Sequence, residues 1–162
     1  MSKVTVGAGG ALLLDPKNIT IADTATAVST WSYEAVIGSG YTGGKNVDVG
    51  SLEVNEQFGV SVSLNAGGDR LAVGAYGDGG FGNLTLDSGA VYLFSFSDTS
   101  FSGGALQGIV GKGYIGGKSV NVGSLEPLDM FGWSVALNAS GDRLAVGAVR
   151  DNGFGNLTSG SG

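Results

Sequence analysis

The sequence predicts an all-β protein built from two copies of a four-stranded antiparallel meander. Three observations carry that prediction. Residues 40–85 and 113–158 align without a gap at an offset of 73 and are identical at 33 of 46 positions, far beyond what shared composition produces. Within the copies, residues 58–64 (FGVSVSL) and 131–137 (FGWSVAL) place large apolar residues at every second position, the period of a pleated strand with one face buried. No segment sets apolar residues at helical spacing behind a cap, and Asp23 to Ser29 is the one plausible helical turn.

Each element follows from its residues. Phe58 to Leu64 is the first strand, and Phe58 and Phe131 are expected at equivalent, buried positions. Residues 65–69 (NAGGD) and 138–142 (NASGD) carry tight-turn chemistry, so Arg70 to Ala75 and Arg143 to Ala148 return as the second strand of a hairpin. Ala90 to Phe96, rich in aromatic and branched residues, is the third strand, and Ala105 to Val110 a weaker fourth. The glycine-rich loops beginning at Asp78 and Asp151 lack a lysine and a following helix, which excludes a phosphate-binding loop. Their Phe81 and Phe154 are expected to plug the gap between neighbouring sheets. Four short strands per seventy-odd residues suit a β-propeller blade, and the small alternate residues of the first strand suit the crowded position near the axis.

The repeat boundaries set the domain organisation. The second copy stops after its second strand, at residues 159–162 (SGSG), while residues 9–14 (GGALLL) resemble residues 88–93 (SGAVYL). Residues 1–38 are therefore expected to complete a neighbouring blade, 39–111 to form a complete repeat, and 112–162 a truncated one. Each chain then holds two blades' worth of strands, and the propeller is completed by oligomerisation. Copies joined head to tail, with residues 10–38 of one pairing with 131–148 of the next, close as two, three or four chains; a trimer of six blades is favoured, a tetramer next. A rotation that fails to close gives an open filament. The permuted start and the Ser-Gly end are those expected of an excised or engineered piece.

Composition removes many functions. Glycine is 32 of 162 residues and proline only 2, which excludes a collagen-like chain, and 42% hydrophobic against 14% charged residues excludes low-complexity disorder. The chain has no histidine and no cysteine, so His-dependent nucleophilic catalysis, thiol chemistry and the common zinc sites are absent, and no enzyme is expected. Net charge is −6 with no basic cluster, which argues against nucleic acid. No apolar run approaches the roughly 20 residues of a spanning helix, so no membrane insertion is expected, and no signal-peptide core follows Met1.

The motif order F-G-x-S-V-(A/S)-L-N, G-D-R-L-A-V-G-A, D-x-G-x-G-N and S-G-A-V-Y-L-F resembles bacterial FG-GAP repeats, relatives of the blades of integrin α-subunit propellers. Leu12 to Ile21 is similar to a stretch of filamentous haemagglutinin-like adhesins. Together the resemblances imply a secreted or cell-surface bacterial adhesin whose propeller loops bind a glycan or protein ligand. Integrin-type blades hold calcium in acid-rich loops, which makes Asp69, Asp142, Asp78 and Asp151 the candidate metal ligands. Only one carboxylate remains in each Asn-Ala-x-Gly-Asp turn, so a turn that satisfies backbone donors is the favoured reading and no other cofactor is expected. A glycan-binding or glycan-degrading propeller is the alternative, needing two carboxylates about 5–10 Å apart. Most acids here recur at turns with the repeat (Asp69 with Asp142, Asp78 with Asp151, Glu53 with Glu126), which favours binding over catalysis.

Overall fold

The computed structural model describes residues 33–153, 155, 157 and 158, which belong to one compact unit beginning at Tyr33. Every element among them is a strand: β1 (Ile37–Gly38), β2 (Val47–Asp48), β3 (Phe58–Leu64), β4 (Arg70–Ala75), β5 (Ala90–Ser95), β6 (Ala105–Gly111), β7 (Val120–Asn121), β8 (Phe131–Leu137) and β9 (Leu144–Ala148). β3, β4, β5 and β6 form an antiparallel meander, extended by β7 lying parallel to β6. β8 and β9 repeat the β3–β4 hairpin in the same register, Val135 opposite Val146 as Val62 is opposite Val73. The parallel pair β1–β2 likewise repeats the end of β6 with β7.

The turn between β3 and β4 shows why asparagine stands there. Asn65 Oδ1 accepts the N–H groups of Asp69 at 3.1 Å and Arg70 at 3.0 Å, and Asn138 does the same for Asp142 and Arg143. β3 and β4 take the bounds their residues predict, whereas β6 runs one residue further, to Gly111. The two-residue strands β1, β2 and β7 carry no readable period. The strands and helical turn expected before Tyr33, together with Phe154, lie outside the described residues.

The core gathers on one face of the sheet, where Val73, Tyr92, Phe94 and Ile109 pack with Val47 and Val49. Phe58 meets Tyr92 edge-on at 5.3 Å and Phe94 at 6.3 Å. Contrary to expectation, Phe58 and Phe131 are only partly buried. Both open an edge strand, beyond which no further described strand covers the ring.

The opposite face of the sheet receives the second repeat. Gly59 and Gly132 sit in matching β-bulges with φ of +91° and +89°, the left-handed side where glycine is at no steric disadvantage. The bulge at Gly132 presses backbone against backbone. A Cβ on Gly74 would lie 2.0 Å from the Gly132 carbonyl oxygen, and one on Gly89 1.9 Å from the Phe131 carbonyl oxygen, both far inside contact distance. Residues 128–131 dock alongside, with the N–H groups of Leu128, Met130 and Phe131 donating to the carbonyls of Leu86, Asp87 and Ser88. The small residues of β3 face this seam: Ser61 donates to Gly132 O at 3.3 Å and Ser63 Oγ accepts the Leu137 N–H at 2.9 Å. Replacing Gly74 by Ala forces the two sheets apart and is expected to cost about 2–3 kcal/mol in urea unfolding; a loss within 0.5 kcal/mol, roughly the effect of a neutral surface change, would contradict the seam.

Candidate functional site

Three polar assemblies lie around the seam. The first is buried beneath the loop that follows β4. Asp78 is completely buried and its carboxylate accepts the Gly80 N–H at 2.6 Å, the Tyr92 hydroxyl at 2.8 Å and the Tyr114 hydroxyl at 2.9 Å. It staples the loop, strand β5 and the segment after β6 to one point. Burial, followed by the Asp78 charge, pushes both tyrosine hydroxyls far above their ordinary pKa, so they remain donors at any working pH. Glu56 is 6% exposed, and its Oε2 has no hydrogen-bond partner. Its pKa is raised, first by burial and then against the opposing Glu53 backbone N–H, with Asp78 and Glu53 adding like charge.

The loop above this staple differs from expectation. Phe81 is 67% exposed and does not plug the gap between sheets. Its N–H donates to Lys112 O at 2.9 Å and its ring meets Tyr114 edge-on at 6.1 Å, so the loop folds over its own sheet.

The second assembly consists of the two hairpin turns, which the structure brings together: the Ala66 N–H donates to Ala139 O at 3.2 Å. Asp69 accepts from Asn65 Nδ2 at 2.8 Å. Asp142 accepts from Ser140 Oγ at 2.7 Å and Asn138 Nδ2 at 2.6 Å, bonds that hold its carboxyl below the ordinary range. Asp78 and Asp151, by contrast, stand at the far ends of β4 and β9, about 20 Å of strand away from Asp69 and Asp142. The four candidate metal ligands thus form no single group. Asp151 repeats the loop bond of Asp78, accepting the Gly153 N–H at 2.6 Å.

The third is a cavity of about 270 Å³ beside those turns, lined by Arg70, Arg143, Lys118, Asp142 and Gln107 over an apolar floor of Leu93, Leu137 and Leu144. Lys45 and Glu34 form an ion pair at 2.6 Å, and one repeat later Lys118 meets the neutral Gln107 at the same distance. That exchange leaves the cavity with three cationic side chains against one carboxylate.

The Glu56–Asp78–Tyr92–Tyr114 cluster is absent from the sequence reading. Its one signal was a hydroxyl inside the apolar strand Ala90 to Phe96, since a buried tyrosine hydroxyl requires an acceptor. The family model described as FG-GAP repeat matches residues 52–94 and 126–162, one match in each copy. With the phenylalanine-glycine bulge and the all-β sheet, these matches support the FG-GAP repeat family. No curated protein and no solved structure matches the chain.

Because the folded-state pKa of Glu56 lies above its unfolded value, its contribution to stability is complete at low pH and is lost as pH rises through the raised value. Glu56→Gln removes that loss. Relative to the parent, the variant is expected to gain stability between pH 4 and pH 8 in denaturant titrations, and an unchanged difference would show that Glu56 stays charged at no cost.

Proposed function

We propose that the chain is a non-enzymatic binding module of the β-propeller type, from a bacterial cell-surface adhesin. The observation that carries this reading is the seam itself: a bulged Phe-Gly edge seated on a Gly-Ala strand is a stacking joint, formed once here, whose two halves each recur at a spacing of 73 residues. Such a joint arranges sheets face to face around an axis and leaves the turns free to meet a ligand. In this reading residues 39–111 make a full blade and 112–162 the first half of another, with residues 10–38 of a neighbour supplying the missing strands. What supports strand donation is β9, whose second edge has no partner among the described residues, whereas the equivalent β4 pairs with β5. Three chains and six blades are the favoured ring, four chains the next.

Light scattering on the purified chain tests it, with three copies of 16.1 kDa expected and a monodisperse monomer contradicting it. Calcium at Asp69, Asp142, Asp78 or Asp151 is not required for folding, because the turn acids already bond within their own loops. EDTA is therefore expected to leave the melting temperature unchanged, and a large fall would assign those aspartates a ligand role.

A glycan ligand is the second reading, favoured by the cationic cavity at Arg70, Arg143 and Lys118, which suits a sugar carrying a carboxylate. Binding of a uronate oligosaccharide, lost in Arg143→Ala and accompanied by no release of reducing ends, is the expected result.

A further inference from the structure

We propose that the open groove on β8 and β9 receives the β3 edge of a second copy of this chain, so that copies join through the same contact that holds the two repeats together. The proposal rests on the propeller reading above and identifies the surface through which it acts.

The two halves of the joint are both present twice, and each is occupied once. Gly132 is buried against Gly74, while Gly59, with the same backbone conformation, is exposed, and a Cβ built there meets nothing within 4 Å among the described residues. Val62 on β3 is 63% exposed, whereas its equivalent Val135 is partly covered by the first repeat. The acceptor side mirrors this. Ala72 and Gly74 are buried by β8, but Ala145 is exposed, and a Cβ on Gly147 would meet only the Ser134 side chain. There a groove of about 490 Å³ lies open, lined by Leu125, Ser134, Gly147 and Val149 among others.

Side-chain size fits the occupant. Within the chain the joint pairs two large rings, Tyr76 and Trp133, at 4.8 Å. A shift of 73 residues puts Val149 at the place of Tyr76, and Val60 is what the open edge offers at the place of Trp133. Large therefore meets large within a chain, and small meets small between chains. The strands β3, β8 and β9 carry no charged residue, and the one charged side chain lining the groove, Asp151, already accepts the Gly153 N–H, so seating one strand on the other leaves no carboxylate without a donor. Donor and acceptor are different surfaces, which makes the contact head-to-tail and able to propagate.

The test uses the full chain with Val62→Lys on the donor face and Val149→Lys on the acceptor face, both at exposed positions, with circular dichroism confirming the retained fold. Each variant alone is expected to lose the parent's higher oligomers. Mixed in equal amounts they are expected to form a heterodimer and nothing larger, because one intact donor and one intact acceptor remain. A monomeric parent would overturn the self-association reading altogether. A parent oligomer that survives both substitutions, or a mixture that stays monomeric, would retain self-association and overturn this joint.

Discussion

The fold depends on one close approach of two backbones. At the seam between repeats no side chain separates the Gly132 carbonyl from Gly74, or the Phe131 backbone from Gly89, and any Cβ at either glycine would displace a main-chain atom. Side chains can rotate away from a clash, but a strand paired on its other side cannot. The glycines of the motif are thus fixed by distance at Gly74 and by distance and conformation together at Gly89 and Gly132. The hydroxyls of Ser61 and Ser63 then satisfy polar groups that so tight a contact would otherwise strand.

Away from the seam, the first sheet is organised by a buried anion. Asp78 is surrounded by donors from three separate segments, and its two tyrosine partners stand on β5 and beyond β6. Glu56 shares the same region without an equal set of donors, leaving one oxygen buried and unpaired. A satisfied carboxylate and an unsatisfied one side by side make this the part of the core whose stability responds to pH.

The strands were legible because their residues carry the evidence locally: the turn chemistry at Asn65 to Asp69 and the apolar alternation of FGVSVSL are readable one residue at a time. Which face is covered was not legible, because FGVSVSL and FGWSVAL have the same pattern while Val62 and Val135 differ in exposure. Burial there is decided by the neighbouring repeat, not by the strand. Phe81 misled for a related reason. A large apolar residue in a loop implies a partner but does not say where, and the hydrogen bond from the Phe81 N–H to Lys112 O, with the ring against Tyr114, decided it. The Asp78 cluster joins residues 36 positions apart, a separation that no local pattern spans.

A joint whose donor and acceptor halves recur once in every 73 residues has a consequence for how such proteins change over generations. Duplicating or deleting one whole unit adds or removes one donor together with one acceptor, so every surviving contact finds its complement and the array lengthens or shortens without a mismatched junction. Loss of a fraction of a unit strands a half-joint. Selection acting on the seam alone therefore leaves the number of repeats free to vary and the length of each one fixed.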